Sequence, residues 1–244
     1  MSTVKKSSTR KRKSGHKKAK KALSKYTPSG VRSGGWARAP LCGEIRCADT
    51  VVQSAGAPVN ISVNGLFACL NGLFVGSALN QRVGRKITAK ALDISLLFNV
   101  TGPNERGTHI RTVIVYDRQN NGENTPSFTS LYTGVYSATM SNPTDAVMAP
   151  RNLSNIARFS VLMDKRIELV GNMSGSSTFS ASWPQEALVK HIGMVRETQY
   201  NEGNTGTSAD IMSGALWLLI YSTNGTDPLY RVNVGGNIRL RYTT

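Results

Sequence analysis

The side chains whose types and spacing could do chemistry in this chain are cationic, and they gather at one end. Lys5, Lys6, Arg10, Lys11, Arg12, Lys13, Lys17, Lys18, Lys20, Lys21 and Lys25 fall within 21 residues, and the first acidic residue of the protein is Glu44. The chemistry such a run can do is electrostatic. Each ammonium or guanidinium that neutralises a phosphate releases a condensed counterion, with little reading of base identity. Lys outnumbers Arg in the run, which favours diffuse neutralisation over bidentate contacts. No aromatic residue is interleaved before Tyr26, so base stacking within the run is minor. A membrane surface is the weaker alternative polyanion, because Val4 and Leu23 alone make no apolar stripe to bury. The clusters Arg10, Lys11, Arg12, Lys13 and Lys17, Lys18, Lys20, Lys21 also fit a nuclear localisation signal, read by a nuclear import receptor.

Other chemistry finds little support. There is no GxxxxGK[ST] loop, no GxSxG elbow and no HExxH pair. Cys42, Cys47 and Cys69 form no CxxC pair, and His16, His109 and His191 are scattered. The expectation is therefore no catalytic residue, no metal and no cofactor. No apolar segment follows the basic start as a secretory signal requires. The longest apolar run, residues 215–221 (ALWLLIY), is far short of the roughly 20 residues a membrane helix needs.

The charge is kept apart from the body that must position it. The net charge is +16, with 30 basic and 14 acidic residues; residues 1–43 hold 13 of the basic groups and no acidic one. That leaves 17 basic and 14 acidic groups in residues 44–244, a surplus of only three. A self-repelling block with few apolar residues cannot offset its ordering entropy, so residues 1–43 are predicted to be a disordered arm and linker. Residues 26–43 have a Gly, Pro and Ser linker composition, in which Trp36 is out of place.

From Glu44 onward, short β-branched and aromatic runs alternate with turn clusters. Eight strands are predicted, near residues 45–54, 59–67, 87–100, 108–118, 157–170, 188–200, 211–222 and 230–242. The third shows the clearest period of two: Leu92, Ile94, Leu96, Phe98 and Val100 alternate with Asp93, Ser95, Leu97 and Asn99. The seventh is apolar on both faces and is expected at the centre of a sheet. Residues 128–133 and 152–158 are the only short helix candidates. Gly235-Gly236-Asn237 suggests a bulge or kink in the last strand. Long excursions at 68–86, 119–156 and 171–187 suit an all-β, eight-stranded single jelly roll, a β-sandwich whose loops cross between two sheets.

Three segments carry a family likeness: LNQRVGRKITAKALDISLLF at 79–98, RTVIVYDRQNNG at 111–122 and RFSVLMDKRIEL at 158–169. With the basic arm, and in this order, they resemble capsid proteins of small circular single-stranded DNA viruses, the geminivirus-like group. They are also similar to the capsid of satellite tobacco necrosis virus, an RNA satellite. The resemblance implies a structural protein that self-assembles into an icosahedral, T=1 shell of about 60 like subunits around its genome. It further implies a virion protein that passes through the host nucleus. Single-stranded DNA is favoured as cargo on the resemblance alone. An RNA satellite-type capsid, or a non-viral nucleic-acid-binding β-domain with a basic tail, is the alternative.

On the body, Arg82 and Arg85 join the arm as candidate nucleic-acid contacts. The equal reading of Arg82, Arg85 and Lys86 is a turn or subunit contact around Gly84, with Gly84 at positive φ. Arg239 and Arg241 are expected on a solvent- or partner-facing strand edge. Asp117 is expected to cap a turn beside an exposed Arg118. Asp164, Lys165, Arg166 and Glu168 are expected to form a charged strand face that could carry ion pairs between subunits.

Overall fold

A computed structural model of the chain describes residues 44–52, 58–61, 65–101, 108–120, 122, 125–133, 147–169, 185–223 and 231–244. The arm assigned to residues 1–43 lies outside them. Ten strands occur among the described residues: β1 (Ile45–Val52), β2 (Val59–Asn60), β3 (Leu66–Cys69), β4 (Lys86–Thr101), β5 (Thr108–Asp117), β6 (Phe159–Leu169), β7 (Gln185–Tyr200), β8 (Ile211–Ser213), β9 (Ala215–Ser222) and β10 (Arg231–Thr243). One helical turn, α1 (Phe128–Leu131), and 3-10 turns at Leu153–Asn155 and Ser208–Asp210 join the strands, and residues 147–148 are also helical. Every predicted strand region contains a strand, and both predicted helix candidates contain a helical turn.

Two predicted strands are split. The 59–67 run becomes β2 and β3, and the 211–222 run becomes β8 and β9. The second break is forced at Gly214, whose φ is 80° and whose added Cβ would sit 2.2 Å from the Glu197 carbonyl oxygen. An L side chain rarely adopts that backbone conformation and finds no room there. Gly236 behaves differently from expectation. Its φ is 146° and its missing Cβ lets the Ser95 carbonyl approach, yet β10 passes through it in unbroken register. The β10–β4 register shifts instead between Arg241 and Tyr242, and the β4–β7 register between Ala89 and Ala91.

The strands form two antiparallel sheets. The larger runs β1-β10-β4-β7-β8, with β2 also paired to β10; the smaller runs β3-β9-β5-β6. The period-two pattern of β4 sends Leu92, Ile94, Leu96, Phe98 and Val100 into the core, while Ser95 and Leu97 face outward. Strand β9 lies between β3 and β5, and all eight of its residues are buried. That agrees with the expectation of a central strand.

Burial on both faces of β9 needs a third layer. The connection between β5 and β6 supplies it, laying Phe128, Leu131, Tyr132, Val147 and Ala149 onto the smaller sheet, all buried. Phe128 meets Tyr221 edge-on at 5.2 Å between ring centroids, and Phe67 meets the same ring at 5.8 Å. Arg111 of β5 fastens the layer: its Nη1 donates to the Ala149 carbonyl at 2.7 Å, and its guanidinium lies 4.1 Å from the Tyr132 ring centroid.

One end of the sandwich is closed by a buried polar knot. Asn71 Nδ2 donates to Thr198 Oγ1 and to the Gly214 carbonyl, both at 2.9 Å, and its Oδ1 accepts from Leu216 N–H at 2.8 Å. Tyr200 donates its hydroxyl to the Asn71 carbonyl at 2.7 Å. Every partner sits on a strand or turn far away in sequence, so the knot fixes the two sheets against each other.

Candidate nucleic-acid interface

The described chain begins at Glu44 and passes at once into β1, whose Ile45 is paired with Thr243 of β10. Strand β1 is an outer strand of the larger sheet. The eleven candidates from Lys5 to Lys25 precede this point and lie outside the described residues. Arg82 and Arg85, the two candidates on the body, are described, and they part company.

Arg82 is 1% exposed. Its Nε donates to the Leu73 carbonyl at 3.2 Å, Nη2 to the Gly203 carbonyl at 2.6 Å and Nη1 to the Gly84 carbonyl. The guanidinium lies 4.3 Å from the Tyr200 ring centroid. This is a correction to the sequence reading: Arg82 is a strut joining residues 73–84 to residues 201–210, with no surface to offer a phosphate. A guanidinium presents five donors in a planar fork, which is why one side chain can hold carbonyls from separate loops. Arg85 does reach the surface, where its Nη2 is hydrogen-bonded to Glu202 Oε1. Gly84 between them has φ 83°, in keeping with the turn reading. Lys86 is paired with Glu197 at 2.8 Å.

The outward face of the larger sheet carries a row of charges. In register across four strands stand Asp49, Arg239, Asp93 and His191. Arg239 donates to both Asp49 oxygens at 2.7 and 2.8 Å. Asp93 accepts from Arg241 Nε at 2.7 Å and lies 2.6 Å from His191 Nδ1. Arg239 and Arg241 are exposed as expected, but on β10 inside the sheet and not at its edge. Hydrogen bonds from Arg239 hold the Asp49 carboxyl below its usual range, and bonds from His191 and Arg241 do the same for Asp93. The row is close to neutral and makes no strong field for a polyanion.

On the smaller sheet Asp117 and Asp164 are each held by particular arginines. Asp117, 1% exposed, accepts from Arg158 Nε at 3.0 Å and Nη2 at 2.9 Å, and from Gln119 N–H at 2.9 Å. The turn-capping role expected of Asp117 is present, with a buried ion pair added. Arg118 is exposed, and its Nη1 donates to the Ala157 carbonyl at 2.7 Å. Asp164 accepts from Arg111 Nε at 2.9 Å and Nη2 at 2.8 Å, with Arg151 Nε at 3.5 Å. The partners of Asp164 are thus within its own chain, where the sequence suggested pairs between subunits.

Arg118 and Arg151 line one groove, together with Leu153, Asn155, Ile156 and Ser160. Reading the sequence alone singled out neither arginine for nucleic acid. They are 33 residues apart, and nothing local to either one marks it as lining a groove. Among the described residues no group of three or more His, Cys, Asp and Glu could hold a metal ion, and no helix is long and apolar enough to cross a membrane.

No protein-family model matches the chain, and no curated protein matches it. Among solved structures it is similar to a chain in the structure of infectious bursal disease virus, Gx strain, at 5% identity and a TM-score of 0.29. The likeness covers 82% of this chain and 32% of that one, so this chain spans about a third of the length of the chain it matches. At that score the likeness carries no functional argument.

Proposed function

We propose that this chain is a structural capsid protein: a single jelly roll that self-assembles into a closed shell and condenses its genome through the basic arm. The observation that carries the proposal is the connectivity of the two sheets. Setting aside the two-residue β2 and the three-residue β8, eight strands remain. They pair as β1-β10-β4-β7 and β3-β9-β5-β6. In order along the chain that is first, eighth, third, sixth, and second, seventh, fourth, fifth. This order supports the double Greek key of a jelly roll, an architecture used by viral shells as well as by lectins and cupins.

Fold alone does not choose among those uses. The arm supports the shell use: 13 cations without one acid precede a body with a surplus of three. A shell built from such bodies confines every arm to one side and turns many weak polycations into one. The same arm serves as the nuclear import signal before assembly. Single-stranded DNA is the favoured cargo on the motif resemblance, since phosphate contacts do not separate DNA from RNA.

The test is assembly of the purified full chain, by size-exclusion chromatography and negative-stain microscopy with and without nucleic acid. Closed particles of uniform size are expected, holding nucleic acid that DNase degrades after the shells are opened. A monomer at every salt and pH would sink the proposal. Sensitivity to RNase in place of DNase would move the cargo to RNA and leave the shell standing.

A further inference from the structure

We propose that the groove between Arg118 and Arg151 is a second nucleic-acid site, on the folded body, that seats a single strand with its phosphates on the two arginines. This site rests on the reading of the chain as a genome-binding protein, and its test is separable from that of the shell.

Two carboxylates stand near the groove, Asp117 and Asp164, and each is already held in a two-pronged pair, by Arg158 and Arg111 respectively. Arg151 reaches Asp164 only at 3.5 Å, beyond a good charge-assisted hydrogen bond, and its side chain is 49% exposed. Arg118 bonds a neutral carbonyl, so its full charge is left at the surface. Arg166 is exposed, stands opposite Arg111 in register, and adds its charge to the field at Asp164. Five guanidiniums thus stand with three carboxylates among the described residues, counting Glu168 two residues from Arg166 on β6. The excess positive charge is focused where the groove opens.

The rest of the lining fits an unpaired base better than another kind of anion. Leu153 is 72% exposed and Ile156 65% exposed, on and just after the 3-10 turn that forms one wall. Exposed apolar side chains beside surplus guanidiniums suit a ligand with an anionic backbone and flat apolar faces, as a single strand has. A sulfated polysaccharide has the charge, but its apolar C–H faces are small, puckered and ringed by hydroxyls and sulfates. The turn is held in place by Asn152, whose Oδ1 accepts from Ser154 N–H at 3.0 Å, and by Asn155, whose Nδ2 donates to the Ser130 carbonyl at 2.8 Å. The wall is therefore formed before any ligand arrives.

The test uses the full chain and a fluorescently labelled single-stranded oligonucleotide, with affinity measured by anisotropy across a salt series. Each phosphate contact on a single strand contributes about 0.7 to the slope of log affinity against log salt. The R118Q/R151Q variant should lower that slope by about 1.4. The pair K90Q/K190Q removes the same charge away from the groove and should leave the slope near the unchanged value. The L153S/I156S variant alters only exposed side chains and should weaken binding several-fold with the slope intact. An R118Q/R151Q slope equal to that of the unchanged chain, or an equal drop in K90Q/K190Q, overturns the proposal. So does loss of heparin retention by R118Q/R151Q with its oligonucleotide slope preserved, which would assign the groove to a sulfated glycan. Particle formation measured on the same proteins keeps the two readings apart. Shells with an unaltered slope refute the groove alone, and an altered slope without shells refutes the shell alone.

Discussion

Replacing Arg82 by methionine separates structure from binding at the residue where charge pattern and burial disagree most. The R82M side chain keeps much of the apolar volume and removes every donor. The Leu73 carbonyl then loses a charged partner inside the fold and the half-buried Gly203 carbonyl loses one as well, whereas Gly84 lies at the surface and can turn to water. An unsatisfied buried acceptor costs about 1–3 kcal/mol. Loss of the cation over the Tyr200 ring adds about 0.5–2 kcal/mol. Against this stands relief from burying a guanidinium with no carboxylate partner, which offsets part of the loss. The net expectation is a destabilisation of about 2–4 kcal/mol. For a domain of this size that is a fall in melting temperature on the order of 10 °C. Urea unfolding followed by tryptophan fluorescence measures it, and the salt slope for oligonucleotide binding should not change. If R82M unfolds within about 0.5 kcal/mol of the unchanged chain, the strut does not matter to the body. If the slope falls while the body stays folded, Arg82 contacts nucleic acid after all.

Three further outcomes are expected. The G214A variant should be destabilised by more than the roughly 1–2 kcal/mol of left-handed backbone strain, because its Cβ meets the Glu197 carbonyl at 2.2 Å; a melt matching that of the unchanged chain would show the β8–β9 break to be optional. Burial pushes the Asp164 carboxyl up, but the hydrogen bond and charge of Arg111, with Arg151 and Arg166, outweigh it and hold it below its ordinary value. A depressed carboxyl contributes stability that is present above its unfolded value of about 3.9 and is lost as pH falls through its folded value. The D164N variant should therefore be less stable at neutral pH and show a flatter decline below about pH 4, and parallel pH profiles would refute the pairing. Burial also pushes the Cys69 thiol up to about 11, and its Sγ lies 3.5 Å from Asn71 Oδ1. In the folded protein Cys69 should resist alkylation at neutral pH and react on unfolding, as peptide mapping after a pulse of iodoacetamide would show.

The amino-acid sequence by itself determined where the strands lie, because alternation is a local property of the chain. The period-two run of β4 and the doubly apolar run of β9 are recognisable without a partner, and so is an arm with 13 cations and no acid. It could not place the breaks, since the one at Gly214 depends on a carbonyl 17 residues away at Glu197. Nor could it say which cations are available. Arg82, Arg111, Arg118, Arg151 and Arg239 are the same residue type, and the type says nothing of their partners. Only the tertiary structure turns the first into a buried strut, closes the second and the last on Asp164 and Asp49, and leaves Arg118 and Arg151 together in one groove. The deciding contacts join residues 53 to 190 positions apart, and a carboxylate can satisfy only the guanidinium that the sheets bring to it.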